Sequence, residues 1–357
     1  MPHRYSVKHG ASLKLPAARL LLVALAAAAV PASLSAADPE AAAAELITPA
    51  AQKAIDQGLA FLARRQNDDG SFASSDYGRN AAVCGLAGLA FMSSGSTPGR
   101  GPYGAHVSRS VDFILDHAQE SGFIDVPGAS SHGPMYGHGF ATLFLAEAYG
   151  MSPRRDVREK LAKAVELIVN TQNDEGGWRY QPLRQDADIS VTVCEVMALR
   201  AARNAGLFVP KATIDKAIDY VKRSQNADGG FMYMLQTGGE SDFPRSAAGV
   251  VALYSAGIYE GPEIEKGLAY LRDYVPGNGS YPREVRYYFY SHYYAVQAMW
   301  HAGGDSWRRW YPAIRDELCS RQQPGGAWSD SICQEYGTAM ACLILQMPNN
   351  YLPIFQR

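Results

Sequence analysis

Two carboxylic acids two residues apart, Asp186 and Asp188, open the run DADISVT, where a polar stretch gives way to a long apolar one. Carboxyls paired in this way can supply a general acid and a general base, or flank a glycosidic bond. They are not isolated. Small residues recur inside six apolar runs, at Gly88, Ala146, Ala198, Ala252, Ala298 and Ala341. Ten positions before this anchor stand Asp188 and Asp242, eight before it Asn80, His138 and Ser190, and six before it Thr192, Ser246, His292 and Glu335. Polar groups therefore gather at the starts of runs that are otherwise apolar. Two accounts are open. Asp and Asn at such points are good helix N-caps. Alternatively they line a wet cavity, since a buried polar group is costly without a hydrogen-bond partner or water. Helix N-termini converging on such a cavity would favour an anion, with Arg79, Arg179, Arg245 and Arg286 near the same end.

Aromatic side chains add a second signal. RYYFYSHYYAVQAMW, from Arg286 to Trp300, carries Tyr287, Tyr288, Phe289, Tyr290, Tyr293 and Tyr294, and MYGHGFATLFLAEAYG carries Tyr136, Phe140 and Phe144. Rings on every face of a helix cannot all hide their hydroxyls in apolar packing. Tyr136 and Tyr290 are the candidates for a cavity wall. Glu147 and Glu195 lie deeper in the same runs.

The elements that must hold these groups come from a repeat. RQNDDGSF, TQNDEGGW, SQNADGGF and RQQPGGAW share a glutamine, a polar turn, a glycine and an aromatic ring. Phe61, Phe113, Leu167, Tyr220, Tyr270 and Glu317, just before these turns, mark a period of about fifty residues. Each unit pairs an amphipathic helix, such as REKLAKAVELIVNTQ, with one that is apolar or small nearly all round, such as SAAGVVALYSAG. One-sided and fully buried helices in alternation imply two concentric layers. The expected fold is all-α, an (α/α)6 toroid of six outer and six inner helices. In the turn, the glutamine amide serves helix-end carbonyls, the glycine allows a left-handed reversal, and the ring packs between units.

The stretches KAVELIVNTQNDEGGW, KAIDYVKRSQNADGGF and KGLAYLRDYVPGNGSY resemble the repeats of squalene and hopene cyclases, a toroid shared with the β subunits of protein prenyltransferases. The resemblance implies a central cavity for an isoprenoid or similar apolar ligand, aromatic walls that stabilise cations, and acid catalysis by the middle Asp of an Asp-x-Asp-Asp run. Here that acid would be Asp188, supported by Asp186 and Ser190, with Ile189 in the last position. Asp242, His138, His292, Ser190, Glu335, Tyr136 and Tyr290 would line the cavity. The zinc site of the prenyltransferases would fall on Asp242 and His292, but Pro244 stands where a cysteine ligand belongs, so no metal and no cofactor is expected. The thioester signature Gly-Cys-Gly-Glu-Gln is absent. Two other readings stand beside the cyclase-like one: a non-catalytic envelope scaffold or protein-binding toroid, and a carbohydrate-active toroid using Asp186, Asp188, Asp242 and Glu335.

Residues 1–37 read as an export signal, with Arg4, Lys8, Lys14 and Arg19 before LLLVALAAAAV and a small-residue Ser35-Ala36-Ala37 site. The expected organisation is this leader, a linker over 38–47 and one toroid over 48–357, in a periplasmic or secreted protein. Loss of the leader's four basic residues takes the formal net charge from −2 to −6, which argues against a nucleic-acid partner. No other segment is long and apolar enough for a stable membrane span. Of five cysteines, Cys319 and Cys333 flank a turn where a disulfide is one arrangement and free thiols the other.

Overall fold

The computed structural model describes residues 46–72 and 76–356, all within one compact unit, Asp38–Arg357. The leader and most of the linker lie outside the described residues. Among the described residues twelve α-helices follow one another in pairs: α1 (Pro49–Arg65) and α2 (Ala81–Met92), α3 (Gly104–Asp116) and α4 (Pro134–Met151), α5 (Arg155–Thr171) and α6 (Ile189–Asn204). The series continues with α7 (Lys211–Arg223) and α8 (Phe243–Ser255), α9 (Pro262–Leu271) and α10 (Tyr288–Ala302), α11 (Gly304–Arg321) and α12 (Gln334–Leu345).

Patterning decides the layer. On α7 only Thr213, Ala217, Tyr220 and Val221 are buried, a stripe at helical spacing. On α2 every residue but Ala82 is buried. The even-numbered helices each pack on two inner neighbours, α12 meets α2, and α11 meets α1, so the ring closes.

The repeated turn is the fastener between units. The Gln172 amide donates to the Gly176 carbonyl in its own turn and to the Thr213 carbonyl on the next outer helix, both at 2.9 Å. Gln66, Gln225 and Gln322 do the same, Gln322 reaching Ala54 on α1 and so joining the last unit to the first. The amide thus serves the neighbouring unit as well as its own helix end. At Gly176, with φ 104°, a Cβ would stand 2.2 Å from the Lys216 carbonyl oxygen, and at Gly326, with φ 90°, 2.5 Å from that of Gln57. Left-handed geometry and close approach both demand glycine there. The rings of Trp178 and Trp328 are buried, each donating its indole N–H to a carbonyl ten residues back.

The lumen is filled at mid-depth. Phe140 on α4 and Tyr293 on α10, half a ring apart, meet edge-on with centroids 6.1 Å apart. Below them Phe355, from the C-terminal segment, sits 6.4 Å from the Tyr293 ring, and its carbonyl accepts the Trp300 indole N–H. Among the described residues these contacts set aromatic side chains across the middle of the inner ring.

Candidate functional site at the ring mouth

Above that floor, at the N-terminal ends of the inner helices, a set of half-buried side chains faces the mouth of the ring, called the bowl below. A single position repeats around it: Ala82, Tyr136, Ser190, Pro244, Tyr290 and Tyr336 each stand two residues before the group that meets the turn of their own unit. Ala82, Tyr136, Ser190 and Tyr290 are half-buried. One turn deeper, Phe140, Cys194 and Tyr294 are buried. The bowl is wired across the ring: the Tyr290 hydroxyl donates to the Ser190 carbonyl at 3.0 Å, and Tyr294 Oη lies 3.3 Å from Cys194 Sγ. Burial holds the phenols of Tyr136, Tyr290 and Tyr294 well above their ordinary range, so they are neutral donors.

Asp188 forms one wall. It is the N-cap of α6, Oδ1 accepting the N–H groups of Ser190 and Val191, both at 2.9 Å. Oδ2 accepts the Tyr233 hydroxyl at 3.3 Å and lies 3.6 Å from Arg179 Nε. The carboxyl is fully buried, and burial raises its pKa from 3.8 to about 6 despite those N–H groups and Arg179. Arg179 is bonded to Asp186 and lies 4.9 Å from the Tyr180 ring centroid, and the Tyr180 and Tyr233 hydroxyls share a hydrogen bond. The cluster can bind a polar or charged group and exchange a proton with it near neutral pH. It is poorly suited to protonating an unactivated alkene: an acid of this strength is too weak, and Ile189 replaces the third carboxyl that would tune it.

Asp186, Asp188, Ser190, Tyr136 and Tyr290 thus come together. Asp242 caps α8 at the same end but on the rim, 3.9 Å from Arg286 and 4.0 Å from Arg245. His138, His292 and Glu335 do not reach the bowl. His138 Nδ1 accepts the Ile124 N–H at 3.1 Å and Nε2 lies 3.2 Å from the Ala164 carbonyl of α5, placing the ring between the two helix layers. Thr192, Ser246 and Thr338 accept the same turn N–H from Trp178, Phe231 and Trp328. His292, 3.0 Å from the Tyr281 hydroxyl and beside Trp310 of α11, takes this place in the fifth unit. Burial depresses both imidazoles, to about 4 and about 3, so neither carries charge at neutral pH. Glu335, fully buried, pairs with Arg65 of α1 at 2.9 Å. Among the described residues no group of three or more His, Cys, Asp and Glu is placed to hold a metal. All five cysteines are free, Cys319 and Cys333 included.

Tyr180, Tyr233, Cys194 and Tyr336 are bowl residues that spacing from the small-residue anchor does not find. A signal for two of them exists in WRY and FMY, where a tyrosine follows each turn's aromatic ring by two positions.

A family model for the squalene-hopene cyclase C-terminal domain matches residues 141–287, and one for the prenyltransferase alpha-alpha toroid domain matches residues 41–163. The chain is a cyclase- and prenyltransferase-like α/α toroid. No curated protein matches it. Among solved structures, a variant of the type II terpene cyclase MstE from Scytonema, in complex with geranylgeranyl dihydroxybenzoate, superimposes with a TM-score of 0.56 at 16% identity, covering 85% of this toroid's chain and 98% of its own. An inactive variant of the alpha-1,6-mannanase GH76A of Salegentibacter sp. HEL1_6, in complex with alpha-1,6-mannotetrose, gives 0.63 at 9% identity over 84% and 98%. An alpha-amylase from Clostridium perfringens gives 0.59 at 11% over 82% and 97%. At such identities the likeness is one of fold, and function has to be argued from the site. Among the described residues, no helix of the toroid is long and apolar enough to cross a membrane.

Proposed function

We propose that this toroid binds a short isoprenoid or similar apolar group in the tyrosine bowl, with the ligand's polar end at Arg179, Asp186 and Asp188, outside the cytoplasm. The observation that carries the reading is the combination of half-open tyrosines, a floor closed by Phe140 and Tyr293, and one charged cluster on one wall. Aromatic faces take the apolar portion, phenols and Arg179 orient the polar end, and Asp188 shares a proton with it. Ring closure by alkene protonation is not part of the proposal, for the reasons of acidity given above.

The closed floor sets the test. Intrinsic fluorescence titrations with geranyl, farnesyl and geranylgeranyl alcohols and phosphates should show affinity that stops rising with chain length, and Arg179→Gln should weaken the phosphates more than the alcohols. Affinity that keeps climbing with each isoprene unit, or no binding at all, overturns the reading. A carbohydrate-active role is favoured by the mouth carboxylates and the mannanase likeness. It would require Arg179 to release Asp186, and Asp188 Oδ1 to leave the α6 terminus. Mannooligosaccharides in the same titration decide between the two.

A further inference from the structure

A cavity of about 630 Å³ lies at the opposite end of the ring, where α8 ends, α9 begins and α10 hands over to α11. Tyr254, Tyr259 and His301 form one wall, Glu260 and Glu265 the rim, and Ile264 part of the base. The three rings are in mutual contact, with centroids 5.1 Å (Tyr254 to His301), 5.7 Å (Tyr254 to Tyr259) and 6.1 Å (Tyr259 to His301) apart. The rings are tilted to one another by 37° (Tyr254 and Tyr259), 42° (Tyr254 and His301) and 69° (Tyr259 and His301), so they form an angled aromatic wall rather than a flat stack. Tyr254 is its buried base, whereas Tyr259 is 37% exposed, with its hydroxyl held by Arg200 at 3.2 Å. Both glutamates are exposed, and neither takes part in an ion pair among the described residues.

The chemistry of this wall selects its ligand. Two carboxylates repel an anion. A neutral apolar ligand would gain only contact with the rings while dehydrating the acids. A cation gains from both, because ring faces carry negative potential and the carboxylates carry charge. Among cations, an alkylated ammonium presents the larger apolar surface to the rings, while Glu260 and Glu265 balance its charge without requiring N–H donors from it. We propose that the cavity between α8, α9 and α10 is a binding site for a small quaternary ammonium ion, seated on Tyr259 and His301 and flanked by Glu260 and Glu265. The site is independent of the tyrosine bowl.

Ligand-observed NMR titration of the full chain with choline and with 3,3-dimethyl-1-butanol, its uncharged isostere, tests this directly. Choline should bind at least ~5-fold more tightly than the isostere, Tyr259→Ala should weaken choline by ~5-fold or more, and Tyr259→Phe should leave it within ~2-fold. Glu265→Gln should reduce the preference for choline over the isostere without changing isostere binding. Equal binding of the two probes, no choline response up to about 10 mM, or choline binding unchanged in Tyr259→Ala would each overturn the proposal. The comparison of probes on the unmodified protein stands even where a variant fails to fold.

Discussion

Replacing Asp188 with asparagine gives a readable test of how the bowl's acid is held. The carboxyl is fully buried and its pKa is raised from 3.8 to about 6, burial being the main cause. Between those two values the folded chain binds more protons than the unfolded one, so this group's contribution is most favourable below about pH 4 and is lost as pH rises to about 6. The displacement is worth about 3 kcal/mol. Asparagine keeps an oxygen to accept the Ser190 and Val191 N–H groups, so the α6 cap survives, and it carries no buried charge. Urea melts of both proteins at about pH 4.5 and about pH 7.5 should therefore show Asp188→Asn gaining on the parent by about 2 kcal/mol on going to the higher pH, the remaining ~1 kcal/mol having been lost below pH 4.5. Subtracting the parent's melts removes the other titrating groups, Glu147 and Glu195 among them. Asp188→Ala should add a cap loss of about 1–2 kcal/mol at both pH values. A difference between parent and asparagine variant that stays constant across the range, or that shifts in favour of the parent at the higher pH, refutes the account of a carboxyl whose ionisation burial disfavours.

Three more outcomes follow from the packing. Gln172→Ala removes two hydrogen bonds, one within its turn and one to the next unit, at a 6% exposed side chain and should cost about 1–3 kcal/mol in chemical denaturation, with no effect on bowl ligands. Phe140→Ala should cost about 3–5 kcal/mol and shift the chain-length plateau of isoprenoid binding to longer chains, because it takes away half of the pair that closes the floor. Glu195 is fully buried, neither oxygen has a hydrogen-bond partner among the described residues, and burial holds its pKa well above 4.5. Its neutral form is the stable one in the fold, so stability falls as pH rises through that raised value, and Glu195→Gln should gain on the parent in thermal melts at alkaline pH while changing little near pH 5.

The fold was legible because the same instruction is written six times. Any one amphipathic stretch leaves helix packing open, but the alternation of one-sided and all-round apolar helices, punctuated by glutamine and glycine, admits few arrangements other than a closed double layer. The fastening of Gln322 to Ala54 turns that alternation into a ring. The site was legible only in part, for a reason that lies in helix geometry. Two residues along an α-helix turn a side chain by about 200°. Counting from the small residue inside α4 aligned His138 with Ser190, whereas counting from the turn aligns it with Thr192, and those two alignments point to opposite sides of the inner helix. The same shift separates Tyr290, at the mouth, from His292, between the layers.

Turn-anchored alignment also shows where this toroid departs from its own symmetry. At the mouth-facing position, the six units carry alanine, tyrosine, serine, proline, tyrosine and tyrosine, while the interlayer position carries a hydrogen-bonding group in each unit whose turn donates an N–H to it. A scaffold needs the second position to be uniform and is indifferent to the first. Tyrosines at three of the six positions, two of them half a ring apart, with a serine and a capped aspartate beside them, are therefore not a by-product of the repeat. Selection for packing alone would fill a closed lumen with aliphatic side chains, whose burial carries no cost for a hydroxyl. The partly exposed rings of Tyr136 and Tyr290, beside an acid whose charge the fold disfavours, are what a ligand with an apolar body and a polar end would meet on entering the ring.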